Sequence, residues 1–187
     1  MKPLLIIISG FSCTGKTTLA RKIAQEFILP LVGRDNIKEV LFDSLGWEDK
    51  EWSKKLGAAS YRLLYYFIDT QLSVGQSLIV ESNFQPKFDN KYFQEFETKY
   101  QANILQIYCK ADPKILFQRY QERAKSGERH PGHVDHLNYA EYQENLHKNN
   151  YDFLAVGNNL IEVDTTDFNS IDYNKISTTI KNMLNYE

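Results

Sequence analysis

Leu4-Leu-Ile-Ile-Ile-Ser-Gly10-Phe-Ser-Cys-Thr-Gly15-Lys16-Thr17-Thr18-Leu-Ala-Arg-Lys-Ile23 is the stretch from which the rest of the chain can be read. An aliphatic run ends at Ser9, Gly10-x-x-x-x-Gly15-Lys16-Thr17 follows, and Leu19, Ala20 and Ile23 then recur at helical spacing. The order strand, glycine loop, helix is that of a phosphate-binding loop. Gly10 and Gly15 carry no Cβ, so the backbone can take a positive φ and approach an anion closely. Successive amides through Ser12, Cys13, Thr14 and Gly15 then point inward, and the helix opening at Lys16, Thr17 and Thr18 adds its dipole. Lys16 is expected to reach the β- and γ-phosphates of a nucleoside triphosphate, and the Thr17 hydroxyl to hold Mg²⁺. For Cys13 the backbone matters rather than the thiol.

Working outward, aliphatic strands alternate with helical patterns along the whole chain. Strands are expected at Leu4–Ser9, Leu31–Gly33, Ser77–Glu81, Asn103–Cys109 and Leu160–Val163. Helices are expected between and after them. One opens after Arg34-Asp35 with Ile37, Val40, Leu41 and Leu45 on one face. A long one over about 50–72 carries Leu56, Ala59, Leu63, Leu64, Phe67 and Ile68 as its stripe, widened by Tyr61, Tyr65 and Tyr66. Core packing explains those tyrosines, with a stacking platform for an aromatic ligand as the alternative. Asp112-Pro113 reads as an N-cap with proline at the first helical position. Such alternation argues an α/β fold, a parallel sheet with helices on both faces and right-handed crossovers. Ligands in such sheets lie beyond the carboxyl ends of the strands. The glycine loop, Arg34-Asp35, Glu81-Ser-Asn83 and the segment after Cys109 should therefore crowd one edge.

The 187 residues suit one domain, residues 1–187, with a lid at about 119–137. A net charge of −2 weighs against a nucleic-acid partner unless a local basic groove exists. The first apolar run is too short for a signal-peptide core or a membrane span, so no membrane is expected. Two cysteines make no disulfide framework and fit a reduced, cytoplasmic setting. A monomer or a homodimer would serve.

Three further groups are candidates for chemistry. Asp35, just past the second strand, is positioned to accept a proton from a substrate hydroxyl; the same carboxylate could cap the following helix, or Asn36 and Glu39 could. Arg34 and Lys38 flank it and could bind an anionic acceptor, as could Asn83 through hydrogen bonds. Glu81, at a strand tip beside the loop, could orient Mg²⁺ through water or be a plain polar strand end. Arg119, Arg123 and Arg129 could close over the phosphates and neutralise charge on a transferred group, with the Gly- and Pro-containing segment 126–136 as a lid. His130, His133 and His136 are spaced by three, but their surroundings favour substrate contact or surface over metal.

Together these residues resemble the small P-loop kinases of the polynucleotide kinase and chloramphenicol phosphotransferase type, ATP-binding kinases among the AAA proteins. The likeness lies in Gly10–Thr17, Arg34-Asp35-Asn-Ile-Lys38, Glu81-Ser-Asn83 and the Arg119–Arg129 segment. It implies a three-layer P-loop fold with sheet order 2-3-1-4-5, Asp35 as the acceptor's base, and Arg123 or Arg129 stabilising the transferred phosphoryl group. At Glu81 the chain departs, since aspartate is more usual in polynucleotide kinases. No fused phosphatase domain or basic surplus accompanies the motifs, which points away from a nucleic-acid end. The expected activity is therefore ATP-dependent, Mg²⁺-assisted phosphotransfer to a hydroxyl of a small molecule. A polynucleotide 5′-hydroxyl kinase and a nucleotide-binding regulatory ATPase are the alternatives.

Overall fold

In the computed structural model, residues 2–127, 129–133, 139–148 and 152–184 are described. The strands are β1 (Leu4–Gly10), β2 (Leu31–Gly33), β3 (Leu78–Glu81), β4 (Asn103–Lys110) and β5 (Asn159–Asp164). The helices are α1 (Lys16–Phe27), α2 (Arg34–Leu45), α3 (Lys50–Ser73), α4 (Pro86–Tyr100), α5 (Pro113–Ser126), α6 (Tyr139–Lys148) and α7 (Tyr173–Leu184). The strands form one parallel sheet in the order β2-β3-β1-β4-β5, the order the resemblance implied.

β1 sits at the centre because both of its faces are apolar. Leu4, Ile6 and Ile8 pack with Leu19 and Ile23 of α1 and Ile176 and Ile180 of α7. Leu5 and Ile7 point the other way, onto Leu64 and Ile68 of α3 and Phe93 and Phe96 of α4. Each of these aliphatic side chains contributes roughly 1.5–3 kcal/mol of burial. The core also admits polar groups that find partners inside it. Gln106 of β4 is buried, donates to the carbonyls of Leu154 (3.0 Å) and Val156 (2.6 Å), and accepts from the Leu154 amide (3.1 Å). It thereby ties the irregular segment preceding β5 to the sheet. The Asp112 carboxylate caps α5 by accepting from the amides of Lys114 and Ile115, as the Asp-Pro pair predicts.

Two helix faces differ from the expected ones. In α2, Val40 and Leu45 are exposed and the buried residues are Lys38 and Phe42. The cause is tertiary: the 3-10 turn Pro131–His133 lies over Phe42, whose ring stacks on His130 at 5.0 Å and meets the edge of His133 at 5.3 Å. In α3, Leu63 and Tyr66 face out, whereas Tyr65 is buried. Its hydroxyl has a buried partner in the Asp89 carboxylate, and its ring stacks on Tyr92 at 4.1 Å. A tyrosine can be inside when its hydroxyl finds an acceptor there.

Candidate active site

All five strands end on one edge, so the loop after β1, the start of α2, the tip of β3 and the helices after β4 meet there. Gly10 has φ +136° and a Cβ on it would lie 2.1 Å from the Cys109 carbonyl oxygen; Gly15 has φ +77°. The glycines of the loop are thus required both by conformation and by space. Cys13 is also at positive φ (69°). The Thr14 side chain is buried: its hydroxyl donates to the Phe11 carbonyl at 2.8 Å, and the Thr14 carbonyl accepts from Thr165 at 2.7 Å. The Lys16 ammonium donates to the same Phe11 carbonyl at 2.8 Å.

A cavity of about 320 Å³ opens above the loop. Lys16, Thr17, Asp35 and Glu81 line it, with Arg34, Arg119, Arg123 and Arg129 around them. Ser12, Cys13, Gly15, Thr18 and Asn83 also reach it. Lys38 lies apart, buried, its ammonium donating to Ser53 Oγ at 2.8 Å. Residues 128 and 134–137 of the expected lid, with His136, lie outside the described residues.

Asp35 lies in the first turn of α2, whose N-cap is Gly33, so it does not cap that helix. Its carboxylate instead accepts from Arg34 and, at 2.8 Å, from Arg129 Nη2. Burial works against the charge, but Arg129 and then Arg34 outweigh it and hold the carboxyl well below the usual range. Thr17 Oγ1 donates to Glu81 Oε2 at 2.9 Å. Burial raises the Glu81 pKa, and burial lowers that of Lys16; each group's charge opposes the other's shift. A hydroxyl and a carboxylate side by side are hard oxygen donors suited to Mg²⁺, which takes most of its remaining ligands from phosphates and water.

The arginines come from two places. Arg119 and Arg123 share a face of α5. Arg123 Nη2 donates to Ser12 Oγ at 3.2 Å, and Arg119 donates to the Thr165 carbonyl at 2.8 Å with its guanidinium 4.7 Å above the Phe168 ring. Arg119 Nη1 is buried without a hydrogen-bond partner among the described residues. Arg129 arrives from beyond α5, held by His133 Nδ1 at 3.0 Å. His133 is not at the surface, as its sequence neighbourhood suggested. It is buried, with Nε2 3.0 Å from Glu39. An Nε2–H that donates to Glu39, leaving Nδ1 to accept from Arg129, satisfies both bonds.

Phe168 and Tyr142 are not among the expected site residues, and Tyr61 is expected in the α3 stripe as core packing, with a stacking platform as the alternative. Phe168 lies against Gly15 at the cavity wall; the Asp164-Thr-Thr run after β5 was its only nearby signal. Tyr61 lines the cavity and reaches Ser82 Oγ at 3.0 Å. Tyr142 braces the loop from α6 by donating to the Ser12 carbonyl at 2.9 Å. Nothing in local sequence distinguishes these two from other tyrosines.

A phosphate-type loop at the central strand of a 2-3-1-4-5 parallel sheet, overlooked by arginines from α5, is the arrangement of the small P-loop kinase fold, a nucleotide-binding class. The chain belongs to the AAA domain family, whose model matches residues 5–148. It is similar to a candidate kinase from Chloroflexus aurantiacus J-10-fl, with 39% identity and a TM-score of 0.91 over 98% of this chain and 99% of that one. A sugar kinase from Janibacter sp. HTCC2649 superposes with a TM-score of 0.57 at 14% identity, covering 99% of this chain and 95% of that one. Shikimate kinase from Bacteroides thetaiotaomicron does so with a TM-score of 0.53 at 16% identity, covering 98% and 99%. These last two are likenesses of fold. No curated protein matches the sequence. No helix among the described residues is long and apolar enough to cross a membrane.

Proposed function

We propose that this protein is an ATP-dependent kinase that moves the γ-phosphoryl group of ATP to a hydroxyl of a small-molecule acceptor, within one catalytic domain whose lid spans about 119–137. The observation that carries the reading is the convergence of Lys16, Thr17, Asp35, Glu81 and the arginines on one cavity. The acceptor hydroxyl gives its proton to Asp35 as its oxygen bonds to the γ-phosphorus, and the bond from that phosphorus to the ADP oxygen breaks. Lys16 and the loop amides hold the leaving phosphates. Thr17 and Glu81 would hold Mg²⁺, which supplies neutralisation of phosphate charge. Arg119, with Phe168 beneath it, borders the nucleotide; Arg34 and Asn83 border the acceptor.

Arg129 has a double use. Paired with Asp35, it makes that carboxylate a poor proton acceptor. Nucleotide phosphates compete for the same guanidinium. When Arg129 turns to them, with Arg123, it neutralises charge on the transferred group and frees one oxygen of the base. The free thiols of Cys13 and Cys109 suit a reducing, cytoplasmic setting.

The test is a metabolite-pool screen with γ-labelled ATP, comparing the native protein with Lys16→Ala. Label should pass to a pool component only with the native protein. Absence of any nucleotide binding by calorimetry would overturn the reading.

A further inference from the structure

Beyond the phosphate cavity lies a second hollow of about 630 Å³, between α3 and the start of α4. The two share Arg34, Tyr61 and Asn83, so a molecule in the second can reach into the first beside Asp35. Resting on the kinase reading, we infer that this hollow is the acceptor site, and that it takes a monomeric hydroxyl compound with a flat aromatic body and an anionic group.

The charge of the lining carries the anionic part. Arg34, Arg62, Lys87 and Lys91 line it against one acid, Asp89, in a protein whose net charge is −2. Asp89 is moreover buried and already occupied, accepting from the Tyr65 hydroxyl and the Gln85 amide. It is not available to pair with the cations. Arg34 also has a buried Nε with no hydrogen-bond partner among the described residues. A local cationic surplus in an acidic protein is a selector for anions.

The rings carry the aromatic part. Tyr61, Tyr65, Tyr92 and Phe88 line the same hollow. Tyr65 and Tyr92 are stacked, and Phe88 is 58% exposed at the rim. The cations already lie over these rings: the Arg34 guanidinium is 5.0 Å from the Tyr61 centroid, and Lys91 Nζ is 4.8 Å from that of Tyr92. A flat ligand can stack on the rings while its anionic group meets the cations. By itself the hollow has the size of a site for a single drug-sized compound, roughly 300–1,000 Å³; it shares Arg34, Tyr61, Asn83 and Phe88 with a wider groove of about 1030 Å³, so the test includes a polymer.

Phenyl phosphate is a suitable probe, with inorganic phosphate and benzyl alcohol as its two halves. Binding is measured by calorimetry on the native protein saturated with a non-hydrolysable ATP analogue, and on nucleotide-free Lys16→Ala. Phenyl phosphate should bind in both, at least about tenfold tighter than either half. The double variant Arg62→Ala/Lys91→Ala should weaken it about tenfold, and Arg62→Lys/Lys91→Arg should restore it; unchanged melting temperatures exclude misfolding. The inference is overturned if benzyl alcohol binds equally well, if Arg62→Ala/Lys91→Ala leaves the affinity unchanged, or if phenyl phosphate binds in neither background. It is also overturned if a 5′-hydroxyl oligonucleotide binds there tightly with a steep salt dependence, because the acceptor is then a polymer. Arg62- and Lys91-dependent binding to Lys16→Ala, with no phosphoryl transfer found anywhere, would leave the site standing and remove the kinase.

Discussion

The most direct test of how the Pro131–His133 turn docks on α2 is acidification. His133 is buried with its side chain 3% exposed, between Glu39 and Arg129 and against the edge of Phe42. Burial and then the Arg129 charge push its pKa down from 6.5 to about 2; Lys38 and Arg34 add to this and Asp35 opposes it. The folded protein therefore keeps the ring neutral where the unfolded chain protonates it. Stability from this group is complete above about pH 6.5 and is lost as the pH falls below that value. For one proton with an unfolded pKa of 6.5, going from pH 7 to pH 5 removes about 2 kcal/mol. Denaturant unfolding of the native protein and of His133→Gln at both pH values isolates this contribution, because other titrating groups are common to the pair. The native protein should lose about 2 kcal/mol more than the variant. If docking is weaker than that, the turn should instead detach at pH 5, with Phe42 and α2 losing hydrogen-exchange protection. An NMR titration in which the His133 ring of the folded protein protonates near pH 6.5 would refute the reasoning.

Asp35→Asn removes the proposed base and should lower phosphoryl transfer by about 10²–10⁴-fold without weakening nucleotide binding by calorimetry, because it also releases Arg129; unaltered turnover would take Asp35 out of the mechanism. Gly10→Ala places a methyl 2.1 Å from the Cys109 carbonyl oxygen at a φ of +136°, and should cost about 2 kcal/mol or more of stability and abolish nucleotide binding. Gln106→Leu keeps the volume but leaves Leu154 and Val156 backbone groups unpaired inside, costing about 2–4 kcal/mol by thermal or urea unfolding. A variant as stable as the native protein would mean that water replaces those bonds.

The neighbours of one strand explain how much the sequence could say. Glycines at 10 and 15, the Lys-Thr pair and the flanking periodicities are local obligations. Each follows from the backbone geometry of a few consecutive residues, so loop, strand and helix were legible together. Alternation then fixed a parallel sheet, and with it the edge where Arg34-Asp35, Glu81-Ser-Asn83 and the α5 arginines gather. The contacts that give those residues their chemistry are not local. Thr17 meets Glu81 across 64 positions, and Arg129 meets Asp35 across 94. Phe42 is buried because Gly132 and His133 cover it, against the amphipathic pattern of its own helix. Phe168 packs on Gly15, and Tyr142 braces Ser12, because β5 ends and α6 begins beside the loop. Pattern along a chain reports which backbone each segment prefers. Which side chains share a cavity, and so which charges are paired, buried or left to bind a ligand, depends on how the elements are stacked, and that only the tertiary structure decides.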